Sequence, residues 1–418
     1  MERIVAIDAR MLASSGIGTY LTNLLENFAA IGNEFVFEVI CPRKELLAGF
    51  PTDRFRFLPG KSPIYSVSEQ WEIAWLARHA QVLHSPHYNA PLLYRGDLVV
   101  TIHDLIHITD PAFKGTLAAL FYARPMFSLV ARKADWLMAD SEFTKTQIVE
   151  HLPVSPSKVV VVYLGVSPHF CQHDREQAVL RVSSLLGVKS PYILFVGNLK
   201  PNKNVKTLIR AFAQLHVKAG LDHQLLILGD DRKWKAGLVN ERQKLGIVDR
   251  VLFAPHVRYE DLPWVYGAAE MLVMPSFIEG FGLPVLEAMA CGTPVVCLRA
   301  ASLPEVAANA AEFFEPSSVD DLAEAIERVL NSPAGQAALR QKGLQRAKQF
   351  SWEECARRHI GVYRKVLESQ DCRLGAIPRV FRPGVRRIDK RRPGTSRGTY
   401  RRGASPSSAC SWTSDCER

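Results

Sequence analysis

Short apolar runs alternate with longer stretches in which apolar residues recur every three or four positions, and this pattern occurs twice along the chain. Continuous apolar runs bounded by glycine, proline or polar breaks read as buried strands of parallel sheets, and the periodic stretches as the helices that cover them. In the first half, strands are expected at Arg3–Asp8, Glu34–Ile40, Gln81–His84, Leu98–Ile102, Asp135–Ala139 and Lys158–Tyr163. In the second half they are expected at Tyr192–Val196, Gln224–Leu228, Val251–Phe253, Glu270–Met274 and Pro294–Cys297. The expected fold class is α/β, with doubly wound parallel-sheet units over residues 1–170 and 171–350, connected through the polar segment Pro168–Arg181 and a short helix after it. Helices follow at Val319–Asn331, Ala334–Gln349 and Trp352–Ser369. On the last of these, residues 351–371, the spacing of Cys355, His359, Val362, Tyr363 and Val366 makes an apolar stripe that needs a surface to pack on. Open parallel sheets take ligands at the carboxyl ends of their strands, so two facing units imply a cleft between them.

Composition narrows the class. The chain has 418 residues, enough for two cores, and 47% are apolar, ordinary for a soluble globular protein. No apolar run approaches the roughly 18–20 residues of a membrane helix. The N-terminus starts directly as a strand, without the shape of a leader, so a cytoplasmic protein is expected. The net charge is +10, but residues 373–418 hold twelve Lys/Arg against three Asp/Glu, leaving 40 basic and 39 acidic residues elsewhere. A near-neutral body without a nucleic-acid motif gives no nucleic-acid partner. The 372–418 tail, rich in Arg, Pro, Gly and Ser, lacks the aliphatic residues to fold alone. It reads as a disordered appendage or an out-of-frame terminus, or else as a basic tail touching anionic lipid headgroups. Eight cysteines without CxxC spacing argue against a metal or disulfide framework, and Cys291 and Cys297 read as core thiols.

The stretch from Met274 to Pro294 carries the strongest chemical signal. An apolar strand runs into Gly280 and Gly282, Pro284 suits the first turn of a helix, and Gly292 with Pro294 ends that helix. The Gly280, Phe281, Gly282 and Leu283 segment therefore opens a helix, where unpaired N–H groups and the dipole favour an anion. Glu279 and Glu287 frame it, eight residues apart. A carboxylate one turn into such a helix is placed to accept hydrogen bonds from sugar hydroxyls. Elsewhere, Gly16 and Gly18 make a GxG turn after the first strand, which serves either packing or phosphate approach; a full dinucleotide fingerprint is missing. His103 and Asp104 end a strand and face the expected cleft, although a lone histidine is most often structural. His84 and His87 are candidates for the acceptor side. Lys200 and Lys203 lie in the loop after Gly197 and Asn198, and Asn204 is a candidate helix cap.

The run Glu279-Gly-Phe-Gly-Leu-Pro, with Glu287 eight positions on, closely resembles the Glu-x7-Glu motif of retaining GT-B glycosyltransferases of family 4. The resemblance covers about residues 3–368 and extends to Gly-Ile-Gly-Thr-Tyr20, Thr-Ile-His-Asp-Leu105, Asp140-Ser-Glu-Phe-Thr144 and Ser302-Leu-Pro-Glu305. It implies two facing Rossmann-like domains, acceptor side first and nucleotide-sugar side second, with the final helix crossing back to the first. It implies further that Glu279 binds the donor sugar and steadies developing positive charge. Glu287 would hold the ribose, Lys203 would pair with the diphosphate, and His103 would lie near the transferred sugar. The Gly16–Gly18 loop would approach the donor phosphates and the acceptor; apart from the resemblance, His87 and Asp104 are expected on the acceptor side. Relatives often carry Arg where this chain has Asn198, which leaves the phosphate grip to Lys200 or Lys203. Asp140 to Thr144 would be structural, and Ser302 to Glu305 either the family's turn or a plain helix cap.

The expected reaction is transfer of a hexose, mannose from GDP-mannose being favoured, to a hydroxyl of a glycan or lipid-linked acceptor in surface polysaccharide synthesis. A lipid-linked acceptor would bring the protein to the inner membrane face. No Asp-x-Asp occurs, so neither a metal nor another cofactor is expected. The alternatives are a GT-B-fold sugar epimerase and a nucleotide-sugar-binding protein without catalysis.

Overall fold

The computed structural model describes residues 2–375 except 33, 111–115, 118, 255–256 and 316–317. The expectations for the rest of the basic tail, residues 376–418, lie outside the described residues. Within the first half, β1 (Arg3–Asp8), β2 (Phe35–Cys41), β3 (Phe55–Pro59), β4 (Val82–Ser85), β5 (Asp97–Ile102), β6 (Trp136–Ala139) and β7 (Val159–Val161) form one sheet. Its order is β3-β2-β1-β4-β5-β6-β7, and every pairing is parallel. In the second half, β8 (Tyr192–Val196), β9 (Gln224–Leu228), β10 (Val251–Ala254), β11 (Met271–Met274), β12 (Val295–Leu298) and β13 (Glu312–Phe314) are ordered β10-β9-β8-β11-β12-β13, again all parallel. The central strands are buried on both faces, as their near-continuous apolar runs require when helices cover both sides.

Two strands escaped the pattern reading. β3 is an edge strand that ends on Pro59, between Pro51 and Gly60, so its apolar residues read as loop. β13 is three residues long, too short to show a period. The expected connection Pro168–Arg181 is partly helix, because Asp174 caps a helix over Arg175–Leu186 and its carboxylate accepts from the Gln177 amide.

Each sheet starts in its middle, runs outward in one direction, and then returns to the other side of its first strand. The reversals fall between β1 and β4 and between β8 and β11, and such switch points open crevices at the carboxyl ends of strands. The loops after β1, β4, β5 and β6 and those after β8 and β11 supply the residues described below.

The closing helix, Trp352–Gly375, extends into the range expected to be tail. It buries the anticipated stripe of Cys355, His359, Val362, Tyr363 and Val366. Its surface is the first sheet unit: Tyr363 bonds His84 of β4, His359 bonds Tyr20, and Arg364 pairs with Glu34. The chain thus crosses back over its own first half.

Candidate active site

β5 is buried from Leu98 to Ile102 and delivers His103 to the cleft. Ile102 is in register with Ala139 of β6, so the next residues, His103 and Asp140, emerge side by side. His103 Nδ1 lies 2.6 Å from an Asp140 carboxylate oxygen, which fixes the proton on Nδ1. Burial alone would lower the His103 pKa, but the charge and hydrogen bond of Asp140, joined by Asp104, outweigh that and raise it. Nε2 has no well-aligned partner among the described residues, while the Pro86 carbonyl lies near enough to favour a proton there. Asp140 belongs to the signature read from sequence as structural. Its place at the end of the strand next to β5 was the available clue to a site role.

The glycine loop after β11 is docked on this pair. A Cβ on Gly280 would stand 1.9 Å from the His103 carbonyl oxygen, so a side chain here would have to displace backbone. The Gly280 carbonyl accepts from Ser141 (2.7 Å) and Thr144 (3.2 Å) on the other unit. Gly282, at φ +96°, takes the left-handed conformation that turns the chain into the helix Leu283–Ala290. Ser302 does not cap its own helix; its hydroxyl donates to the Glu279 carbonyl instead. Glu305 reaches across to the helix Glu142–His151, where its carboxylate accepts from the amides of Glu142 (2.8 Å) and Phe143 (3.2 Å). The Ser302–Glu305 turn is thus an inter-unit contact, which no local motif could announce.

Lys203 and Glu279 meet on the far side of the same loop. Lys203 Nζ lies 2.6 Å from both carboxylate oxygens, and both side chains are largely buried. Glu287 sits one turn into the Leu283–Ala290 helix and accepts from the Tyr266 hydroxyl at 2.7 Å. Burial pushes its carboxyl up to about 7, with the Tyr266 bond pulling partly back. The helix N-terminus and both carboxylates are thus carried by the segment after β11, with the Lys203 ammonium on Glu279, an arrangement suited to a diphosphate carrying a polyhydroxylated group.

The other expected residues have these surroundings. The Phe281 side chain is buried against Tyr163 and Phe350, leaving only its backbone for a ligand. Gly16 and Gly18 lie in the first turn of the helix Ser15–Ile31 and not in a separate turn before it. Asn198 is exposed and its side chain accepts from the Lys200 amide. Asn204 offers no cap to the following helix; its side chain accepts from the Thr207 hydroxyl. His84 is fully buried and bonded to Thr101 and Tyr363, which removes it from any acceptor surface. Asp104 accepts from the Ile106 amide and adjoins the cleft.

His87 donates from Nδ1 to Asn89 (2.7 Å), and burial lowers its pKa to about 4. Asn89 in turn donates to Glu69, which is ion-paired to Arg10, and Arg10 is bidentate to Asp8. Sequence reading passed over this buried Asp8–Arg10–Glu69 cluster, because Glu69 lies 59 residues from Arg10. It braces the loop that carries His87.

Two all-parallel sheets with facing switch points, joined by a helix that crosses back, define the GT-B class of glycosyltransferases. Residues 14–170 match the family model for glycosyltransferase family 4, and residues 176–347 that for glycosyl transferases group 1. The chain is 30% identical to the O-antigen chain mannosyltransferase B of Escherichia coli over 299 residues, 70% of this chain and 76% of that protein. It is 31% identical to the MMP alpha-(1->4)-mannosyltransferase of Mycolicibacterium hassiacum over 284 residues, 65% of this chain and 66% of that one. The Anabaena protein HepE, solved in complex with UDP-glucose, superimposes with a TM-score of 0.70 at 18% identity, covering 88% of this chain and 99% of its own. The chain belongs to the family 4, or group 1, glycosyltransferases.

Proposed function

We propose that this glycosyltransferase moves a hexose, mannose in the first instance, from a nucleotide-diphosphate donor to a hydroxyl acceptor with retention of the anomeric configuration. The observation that carries the reading is the Lys203–Glu279 pair beside a glycine loop docked on His103. As the donor bond breaks, negative charge grows on the diphosphate and positive charge on the sugar. Lys203, the Gly280–Gly282 amides and the Leu283 helix end face the former. Glu279 faces the latter and accepts from sugar hydroxyls. Glu287 accepts from the ribose, and His103 touches the sugar from the opposite unit. A lysine and a helix end supply positive charge without a metal, and the reading is of a metal-independent enzyme.

Mannose is supported by the two mannosyltransferase relatives, and a nucleotide-sugar donor by the UDP-glucose complex of the structural neighbour; GDP is the base proposed with mannose. The acceptor is a glycan or a lipid-linked saccharide of surface polysaccharide assembly. Work on a lipid carrier would place the enzyme peripherally at the inner membrane face. Support comes from the exposed Trp71 and Trp75, one turn apart on the helix Glu69–Leu76, and from exposed Leu117 and Phe121. Among the described residues no helix is long and apolar enough to cross a membrane.

The test is calorimetric titration with GDP-, UDP-, ADP- and dTDP-linked hexoses, with and without Mg²⁺. The expected result is binding of one nucleotide class without metal, followed by transfer in which NMR finds the anomeric configuration kept. Absence of binding, strict need for Mg²⁺, or isomerised sugar with no transfer product would overturn the reading.

A further inference from the structure

Behind the candidate site lies a fully buried set of polar side chains that the chemistry above does not use: Tyr20, His84, Thr101, His359 and Tyr363. Their contacts form one continuous line. The Tyr363 hydroxyl lies 2.8 Å from His84 Nδ1, His84 Nε2 2.9 Å from the Thr101 hydroxyl, and that hydroxyl 3.1 Å from the Tyr20 hydroxyl. The Tyr20 hydroxyl lies 2.7 Å from His359 Nε2, and His359 Nδ1 lies 2.8 Å from the Cys355 carbonyl.

The proton positions follow from one fixed end. A carbonyl only accepts, so His359 Nδ1 carries hydrogen and, in the neutral ring, Nε2 is bare. Tyr20 must then donate to His359, which leaves its oxygen to accept from Thr101. Thr101 has spent its only hydrogen and so accepts from His84 Nε2–H. His84 Nδ1 is bare in turn and accepts from Tyr363. Five hydrogen bonds thus run in one direction, starting at Tyr363 and ending at Cys355, both on the closing helix. No member is left unpaired, the condition under which a buried polar network fixes one packing arrangement.

The outcome of this chain is felt at His103. The Tyr20 ring meets the His103 ring at right angles, with centroids 4.9 Å apart, while Asp140 holds the other side of the imidazole. We propose that Tyr20 is a positioning residue for His103, held in place by a one-way hydrogen-bond chain that begins and ends on the closing helix. The crossing of the last helix over the first unit thereby becomes part of the reacting face. Around His103 stand Asp140 from the end of β6, Asp104 on its own loop, His84 of β4, His87 on the loop after β4, and His359 of the closing helix. Burial lowers the pKa of all three of these neighbouring histidines, so among them His103 is the ring that takes a proton.

The proposal rests on the role given to His103 above, but its first test needs no substrate. In full-length protein carrying labelled imidazoles, NMR should find His359 protonated on Nδ1 and His84 on Nε2, neither titrating between about pH 5 and 8. Tyr20→Phe keeps the ring and cuts the chain. It should move the His103 midpoint down towards an ordinary histidine and lower GDP-mannose turnover about ten-fold, one hydrogen bond's worth, with the donor KM held. Tyr363→Phe breaks the far end without touching Tyr20 or His103. It should act in the same direction with a smaller effect, and it serves alone if Tyr20→Phe does not fold. The opposite tautomers, titration of His84 or His359 in that range, or a lowered Tm with an unmoved His103 midpoint would each overturn the proposal. The expected imidazole result in a protein that turns over no nucleotide sugar would instead overturn the transferase reading and leave the chain standing.

Discussion

Lys203 Nζ lies 2.6 Å from both carboxylate oxygens of Glu279, across 76 positions of sequence. The two groups proposed to face the leaving diphosphate and the developing sugar cation thus neutralise each other before any donor arrives. Each charge loses water on burial, and the attraction between them offsets a cost that either alone would carry uncompensated. It also gives the incoming donor a defined exchange: the diphosphate takes the ammonium and the sugar hydroxyls take the carboxylate.

Glu279→Gln keeps shape and acceptor capacity but removes the charge. Turnover should fall by about 10²–10³-fold, the scale of losing one transition-state electrostatic contact, while donor affinity moves only a few-fold. Single-turnover kinetics beside calorimetry separates the two, and normal turnover would remove Glu279 from its assigned role.

Glu287 sets a pH dependence. Its folded-state pKa of about 7 lies above the ordinary 4.5, so its contribution to stability is fully present below about pH 4.5 and is lost as pH rises through about 7. The ribose contact proposed for Glu287 has the opposite sign, because the ionised carboxylate is the stronger acceptor. Nucleotide affinity should rise about ten-fold between about pH 6 and 8. Calorimetry across that range should show the rise in the native protein and a flat profile in Glu287→Gln.

Gly280→Ala places a methyl group 1.9 Å from the His103 carbonyl oxygen, and the loop must lift away from the first unit. A displacement of about 1 Å at such a site costs on the order of 100-fold in rate. The variant should keep its circular dichroism and lose turnover; near-normal turnover would show that the docked loop is not needed for chemistry.

Glu305 caps a helix in the other half of the molecule and also bonds the Tyr163 hydroxyl, whose pKa is pushed up to about 12 by burial and by that carboxylate. Glu305→Ala should cost about 1 kcal/mol, the usual value of an N-terminal cap, and loosen the contact between the units. Glu305→Gln, which keeps acceptor oxygen, should lie between. Thermal melts and small-angle scattering report the two effects, and an unchanged scattering profile for Glu305→Ala would count against a role in holding the units together.

Trp71 and Trp75 are each more than half exposed. Replacing both with Ser should reduce co-sedimentation with phosphatidylglycerol-containing vesicles and leave the melting temperature within a degree or two, since neither ring is packed in a core. Equal sedimentation would assign any membrane contact to another surface.

Much of this was legible in the chain alone. Alternating apolar runs and helical periods determine two parallel-sheet units, because a strand buried on both faces must be apolar throughout and its crossover must be a helix. The Glu279–Glu287 spacing and the glycines between them determine a helix end beside two carboxylates, since those constraints are local. Local constraints also explain the failures: β3 and β13 were too short or too broken by proline to show a period, and Asn204 was read as a candidate cap from type alone.

Only the tertiary structure decided which distant groups meet. Register between β5 and β6 joined His103 to Asp140, docking of the Gly280 loop joined it to Ser141 and Thr144, and the closing helix joined His359 and Tyr363 to Tyr20 and His84. A side chain's partner across 76 or 339 positions depends on the summed geometry of every element between them, and no window of sequence contains it. That is why the chain announced its acids and its histidine, while the fold alone fixed what each is bonded to and, for Glu287, at what pH it is charged.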